Sequence, residues 1–212
     1  MKVTLFGGSF NPPHLGHALV IAEFLESAIT DELWLLPTIN HAFGKDLAPA
    51  QHRLAMAKLL INFINHDLGS KIYDLKLCPI EIDLNLSGQT YDTLHALKQN
   101  PDYLKEKMNL TDYQLPITSY QFLIGSDQLA SFQKWGHWQE LLSEMPFWVY
   151  PRANYHNEPL LPGMKLFQTP GQTITNISSS QIRDRLKNHQ NATCLLPEDI
   201  MSYINNNNLY SK

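Results

Sequence analysis

Short apolar runs rich in β-branched and aromatic residues alternate along this chain with longer segments of helical periodicity. The runs predict strands at Val3–Phe6, Leu33–Leu36, Ile72–Leu77, Gln121–Ile124, Phe147–Tyr150 and Leu166–Gln168. The periodic segments predict helices at Ala18–Ser27, Pro49–Asn65, Thr90–Lys98, Asp127–Lys134, Ser178–Lys187 and Glu198–Asn205. Because strands that alternate with helices pair in parallel under right-handed crossovers, we predict an α/β fold with a doubly wound, mostly parallel sheet and helices on both faces.

The organisation along the chain predicts one domain. A length of 212 residues is ordinary for a single domain, and neither a linker nor an internal repeat divides it. Its C-terminal part, about 178–212, is predicted to be helical. The polar segment Asn100–Thr118 predicts a surface excursion with a short helix, and Ala153–Pro162 predicts a loop.

Charge and cysteine content exclude several classes of protein. The net charge is −4, and no dense run of Lys and Arg is present, so binding to nucleic acid is not expected. Cys78 and Cys194 lie too far apart for a disulfide framework or a metal-knuckle motif, which favours a reducing compartment. The N-terminus lacks a secretory signal and no apolar run is long enough to span a membrane, so we predict a cytoplasmic protein.

The stretch LFGGSFNPPHLGH, which follows the first predicted strand, predicts a phosphate site. Gly7 and Gly8 allow backbone N–H groups to approach a ligand closely. His14 and His17 lie one helical turn apart at a helix N-terminus, which itself favours anions. Surface histidines or a metal pair are the alternatives, but no third metal ligand stands nearby in the sequence.

A second candidate phosphate motif, ISSSQIRDRL, lies near the other end of the chain. Ser178 or Ser179 can cap a helix whose first N–H groups receive phosphate oxygens. Arg183 lies one turn further on, where its guanidinium can bind a phosphate through two N–H groups. Taken alone, the string would more often be just a capped amphipathic helix.

Both motifs resemble those of the nucleotidylyltransferase superfamily: GGSFNPPHLGH its T/H-x-G-H element and ISSSQIRDRL its I-S-S/T-x-x-I-R element. The stretches SGQTYDTLHAL, FLIGSDQLASFQKWGHWQELL, VYPR and LLPEDIMSYINNNNLY resemble elements of the nicotinate mononucleotide adenylyltransferases, in the same order. The resemblance covers nearly the whole chain and implies a Rossmann-like nucleotidylyltransferase fold.

The resemblance implies roles for individual residues. It assigns catalysis to His14, His17 and Arg183. It assigns ATP binding to Gly7, Gly8, Ser9, Phe10, His14, His17, Gly125, Asp127, Ile177, Ser178, Ser179 and Arg183. It assigns mononucleotide binding to Asn11, Lys45, Thr90, Trp135 and Arg152. Trp135 would stack on the pyridine ring, its alternative being a tryptophan at the edge of the core. Arg53 and Met56 match the R-x-x-M pattern of the family, although Arg53 could equally be a solvated helix residue.

The implied reaction is adenylyl transfer from ATP to nicotinate mononucleotide, which gives nicotinate adenine dinucleotide and pyrophosphate. Mg²⁺ would enter as its ATP complex, because Mg²⁺ keeps several waters and binds substrate phosphates. The implied partners are these two substrates, without nucleic acid or membrane, and a homo-oligomer is possible.

Two departures from the family pattern leave the substrate open. The stretch INHAFGK separates His41 from Lys45 where bacterial relatives carry P-P-H-K/R, and Gly136 stands where many carry an aromatic residue. Nicotinate mononucleotide is favoured, with a dual-specificity or nicotinamide mononucleotide adenylyltransferase as the alternative.

Three more remote alternatives are separated by sequence features. Pantetheine-phosphate adenylyltransferases are typically shorter and lack the GSDQLASFQKW element, which is present here. Aminoacyl-tRNA synthetases of the H-x-G-H type need an RNA-binding domain and usually a Lys-rich second motif, and neither is present here. A non-catalytic nucleotide sensor would be marked by a broken motif, whereas His14, His17 and Arg183 are all intact.

Overall fold

A computed structural model describes residues 1–39, 47–67, 74–111, 114, 117 and 119–211. Lys45, His41 and the first residues of the predicted strand Ile72–Leu77 lie outside the described residues.

The described strands form one six-stranded sheet in which every neighbouring pair is parallel. The strands are β1 (Lys2–Gly8), β2 (Glu32–Pro37), β3 (Leu75–Leu77), β4 (Ser119–Gly125), β5 (Phe147–Tyr150) and β6 (Met164–Leu166). Their order across the sheet is β3-β2-β1-β4-β5-β6. The predicted doubly wound parallel sheet is therefore confirmed, with its order reversing between β1 and β4.

Helices cover both faces of this sheet. The α-helices are α1 (Leu15–Glu26), α2 (Ala50–Asp67), α3 (Ile80–Asp83), α4 (Thr90–Gln99), α5 (Pro101–Met108), α6 (Trp138–Glu144), α7 (Ser179–Lys187) and α8 (Glu198–Asn206). Short 3₁₀ helices span Ser126–Lys134 and Thr193–Leu195. The short α3 and α6 were not predicted, because each spans less than the two turns needed to show a periodic pattern.

The helix predicted at Asp127–Lys134 is present and is wound as a 3₁₀ helix over Ser126–Lys134. Leu129 and Phe132 of this segment and Trp135, which directly follows it, recur every three residues, which matches three residues per turn. Phe132 is fully buried and packs against Phe147, with ring centroids 5.1 Å apart. This winding brings the aromatic residues to one side of the sheet.

Two apolar clusters, one on each face of the sheet, form the core. Successive strand residues point to opposite faces, so Leu5 and Trp34 belong to one cluster and Phe6 and Leu35 to the other. Helix α8 packs against α2, and the His52 Nδ1 and Tyr203 hydroxyl groups lie 3.0 Å apart. Within the described residues, no helix is long and apolar enough to cross a membrane.

Candidate active site

A cleft of about 760 Å³ opens where β1 and β4 end, at the point where the strand order reverses. Ligands of doubly wound sheets bind at this place because the crossovers leave the sheet in opposite directions there. The predicted site residues that line the cleft are Gly7, Gly8, Ser9, His14, His17, Thr90, Gly125, Asp127, Trp135, Arg152, Ile177, Ser178, Ser179 and Arg183. Residues distant in the sequence are thus brought to one cavity.

Two of the cleft glycines leave room for side chains of the cleft wall. A Cβ atom on Gly7 would lie 2.8 Å from Cζ of Phe122, a ring that is itself buried. A Cβ on Gly125 would lie 2.9 Å from Cδ of Arg152 and would collide with the Asp127 carboxylate. The absence of these side chains lets Phe122, Asp127 and Arg152 take their places in the cleft wall.

His14 and His17 stack closely at the start of α1. Their ring centroids lie 3.7 Å apart, and the His14 backbone N–H donates to Nδ1 of His17 over 3.1 Å. Because Nδ1 of His17 accepts this bond, its neutral ring carries the proton on Nε2 and can donate it to a ligand. Burial, followed by the positive charge of Arg152, lowers the pKa of His17 to about 3. Burial and the neighbouring His17 hold the pKa of His14 well below its usual range.

Acidification is expected to destabilise the fold through these imidazoles. The unfolded chain binds a proton on His17 near its ordinary pKa of 6.5, but the folded chain resists protonation down to about 3. The contribution of the neutral His17 ring to the free energy of unfolding is therefore complete above pH 6.5 and is lost as the pH falls towards 3. Between about pH 7.5 and about pH 5 the loss from His17 amounts to roughly 2 kcal/mol. Denaturant titrations should show a smaller loss for His17→Asn than for the wild type, and equal losses would contradict a half-buried neutral ring.

The second motif forms the N-terminus of α7 and is fastened to the first motif. Ser178 caps the helix, its Oγ accepting from the Gln181 N–H over 3.2 Å, as predicted. The Ser179 hydroxyl donates to the carbonyl of Pro12 over 2.8 Å. Arg183 donates from Nη1 to the carbonyl of Asn11 over 2.8 Å. The two candidate phosphate sites are therefore held in one rigid arrangement.

Arg152 joins several parts of the cleft. Its Nη1 lies 3.2 Å from Oδ2 of Asp127, and its Nη2 donates to the carbonyl of Ile177 over 2.7 Å. Its backbone N–H donates to Oγ of Ser126 over 3.0 Å. This ion pair positions Asp127 and Arg152 together, between the end of β4 and the second motif.

Phe10 and Asn11 lie beneath the cleft and are absent from its lining. The Phe10 ring packs against His17, with centroids 5.1 Å apart. Oδ1 of Asn11 accepts from the Ala48 N–H over 3.1 Å and from the Tyr210 hydroxyl over 2.7 Å. The roles in ATP and mononucleotide binding that the sequence predicted for these residues stay predictions, as does that of Lys45.

Arg53 is 1% exposed, so the alternative of a solvated helix residue was wrong. Its guanidinium donates to four backbone carbonyls over 2.6–3.1 Å, those of Ser9, Thr38, Ile39 and Ala48. Arg53 thereby ties the loops after β1 and β2 to the start of α2. The R-x-x-M pattern, which places Arg53 four residues into α2, was the only feature of the sequence that pointed to this role.

Glu81 is a cleft residue that the sequence analysis did not identify. Its carboxylate accepts from the Ile39 N–H over 3.1 Å and from the Thr93 hydroxyl over 2.7 Å. Burial raises the pKa of Glu81. The residue connects the loop after β2 to α4, and no spacing in the sequence could have revealed that contact.

Trp135 closes the other half of the cleft. Its ring lies 5.0 Å from that of Phe132 and 6.1 Å from that of Phe122, centroid to centroid. The N-terminus of α4, with Gln89 and Thr90, lines the same half together with Gly136. An aromatic wall beside helical N–H groups suits a flat ring that carries an anionic substituent.

Residues 5–185 match the family model described as cytidylyltransferase-like. The nicotinate-nucleotide adenylyltransferase of Bacillus subtilis is 30% identical over 211 residues, which cover 99% of this chain and 98% of that protein. A probable nicotinate-nucleotide adenylyltransferase of Enterococcus faecalis is 33% identical and covers 99% of this chain and 84% of its own length.

A solved structure shares the fold. The nicotinic acid mononucleotide adenylyltransferase of Plasmodium falciparum, complexed with NaAD, superposes with a TM-score of 0.77 at 23% identity. The superposition covers 99% of this chain and 97% of that one.

Proposed function

Because this chain belongs to the nicotinate-nucleotide adenylyltransferase family of cytidylyltransferase-like proteins, we propose that it transfers the adenylyl group of ATP to nicotinate mononucleotide. The products are nicotinate adenine dinucleotide and pyrophosphate, so the enzyme acts in NAD biosynthesis. The proposal rests on one observation: hydrogen bonds from Ser179 and Arg183 hold the second phosphate motif against the first along one cleft.

The reaction is an in-line displacement at the α-phosphorus of ATP. A phosphate oxygen of the mononucleotide forms the new P–O bond, the bond from the α-phosphorus to the bridging oxygen breaks, and pyrophosphate leaves with that oxygen. The second pKa of a phosphate monoester is about 6, so the nucleophile is mostly dianionic at neutral pH. No general base is required, and the protein contributes positioning and charge stabilisation.

The triphosphate lies along the two motifs. His17 donates from Nε2, and with His14 it contacts the α- and β-phosphates as charge develops there. The N–H groups that open α7 and the guanidinium of Arg183 receive the leaving pyrophosphate. Asp127, at the end of β4, binds the ATP ribose.

Mg²⁺ would enter as its ATP complex. Within the described ranges, no group of three His, Cys, Asp or Glu side chains could hold a metal ion. The donor set of the cleft, made of imidazole, guanidinium and backbone N–H groups, suits phosphate oxygens that already carry a hydrated ion. When bound, Mg²⁺ neutralises part of the triphosphate charge.

The mononucleotide occupies the half of the cleft formed by Trp135 and the start of α4. Trp135 stacks on the pyridine ring, and Thr90 with the first N–H groups of α4 receives the nicotinate carboxylate. Arg152 binds the phosphate together with Asn11 and Lys45.

The reaction belongs in the cytoplasm, and its substrates are small molecules.

Replacing Trp135 with alanine is expected to raise the KM for the mononucleotide about tenfold, because one stacking face is worth roughly 1–3 kcal/mol. The KM for ATP should stay within about twofold, since the triphosphate lies along the other half of the cleft. Steady-state kinetics with each substrate varied in turn measure both constants. An unchanged mononucleotide KM would remove Trp135 from the pyridine site.

The test of the function itself is pyrophosphate release from Mg-ATP with three acceptors supplied separately. These are nicotinate mononucleotide, nicotinamide mononucleotide and phosphopantetheine. We expect the highest kcat/KM with the nicotinate. Turnover with phosphopantetheine alone would overturn the proposal, and tight dinucleotide binding without turnover would indicate a nucleotide sensor.

A further inference from the structure

The end of the exposed Gln89 side chain lies beside Gly136, in space that a Cβ at position 136 would occupy. A Cβ on Gly136 would lie 2.9 Å from Cδ of Gln89 and would collide with its Oε1. Gly136 is not among the glycines of positive φ, so its backbone does not require the absence of a side chain. A Cβ at position 136 would therefore turn the exposed Gln89 side chain away from the place that it occupies here.

This place is the pyridine half of the cleft. Gln89, Gly136 and Trp135 all line the cavity, and Gly136 directly follows the tryptophan. Tyr91 stacks on His137 with ring centroids 4.3 Å apart and an angle of 24° between the planes. That contact joins the turn after Trp135 to the first turn of α4, the two segments that carry Gly136 and Gln89.

The terminal amide of Gln89 is free to bind a ligand. Gln89 is the N-cap residue of α4, but its side chain makes no capping bond. Its backbone N–H donates to Oγ of Ser87 and its carbonyl accepts from Thr93, whereas its side-chain amide has no hydrogen-bond partner in the part of the chain that the structure describes. An amide of this kind offers both a donor and an acceptor at the cleft wall.

We propose that Gln89 contacts the substituent at the 3-position of the pyridine ring and sets the selectivity between the nicotinate and nicotinamide forms of the mononucleotide. The inference rests on the proposed function and specifies its substrate recognition. The Gln89 NH₂ group donates to a carboxylate in a charge-assisted bond, which is stronger than the neutral bond that its Oε1 accepts from a carboxamide, so the side chain favours the nicotinate. The free N–H groups at the start of α4 add a preference for the anion.

Gln89→Glu is expected to lower the ratio of kcat/KM for nicotinate over nicotinamide mononucleotide at least tenfold, chiefly by raising the KM for the nicotinate. A carboxylate at this position repels the substrate carboxylate and still accepts from a carboxamide. The KM for ATP should stay unchanged. Gln99→Glu is the matched control, because it adds the same charge at the exposed far end of α4 and should leave the ratio unchanged.

Gly136→Ala supplies an independent test because its Cβ displaces the Gln89 side chain without changing it. We expect Gly136→Ala and Gln89→Ala to lower the ratio of kcat/KM for nicotinate over nicotinamide mononucleotide by similar factors. The double variant should lower it no further, because both substitutions remove the same contact. Additive shifts, or a ratio that Gln89→Glu leaves unchanged in a folded protein, would overturn the inference while the proposed function stands. A wild-type protein inactive with both mononucleotides would instead overturn the proposed function, and this inference with it.

Discussion

Replacing His17 with alanine is expected to lower kcat at least a hundredfold while the protein stays folded. The ring is held by the His14 N–H over 3.1 Å, which leaves Nε2–H as a fixed donor for the phosphate that develops charge. Removing one such preorganised donor typically costs about 10²–10³ in rate. Because the pKa of His17 is about 3, the loss should persist across the neutral range rather than at one pH.

The measurement is single-turnover formation of nicotinate adenine dinucleotide with saturating Mg-ATP, which separates chemistry from substrate binding. His156→Ala is the control, because His156 is an exposed loop histidine outside the cleft and its variant should keep the wild-type rate. A folded His17→Ala protein with a wild-type rate would contradict the role of the ring in holding the triphosphate.

Replacing Arg183 with alanine is expected to lower kcat/KM for ATP about a hundredfold. The substitution removes the guanidinium that receives pyrophosphate and also the 2.8 Å bond that ties α7 to the Asn11 carbonyl. Arg183→Lys should recover only part of the loss, since an ammonium keeps the charge but lacks the planar pair of donors.

Arg185→Ala is the matched control, two residues further along α7. Arg185 donates to the carbonyl of Asn191 and does not line the cleft, so its loss should leave kcat/KM for ATP within about twofold of the wild type. Product inhibition by pyrophosphate offers a second readout, which should weaken in Arg183→Ala alone. Equal losses in both variants would indicate damage to α7 rather than loss of a phosphate contact.

Most of the strands and long helices were predictable because their apolar periods are local properties of the sequence. The helix predicted at Asp127–Lys134 is present, but the structure was needed to show that it winds as a 3₁₀ helix over Ser126–Lys134. The short α3 and α6 carry too few residues to show a period. Their ends are set by packing against the sheet rather than by propensity.

The sequence by itself determined the parallel α/β sheet, the two phosphate motifs and part of the cleft lining, because motif spacing and periodicity follow from the local chain. Only the tertiary structure decided which partners those residues meet. It showed Arg53 as a buried tie between loops, Asn11 as a support beneath the cleft, and Gln89 beside Gly136. These contacts join residues tens of positions apart, and their geometry depends on how helices and strands pack, which no spacing along the chain records.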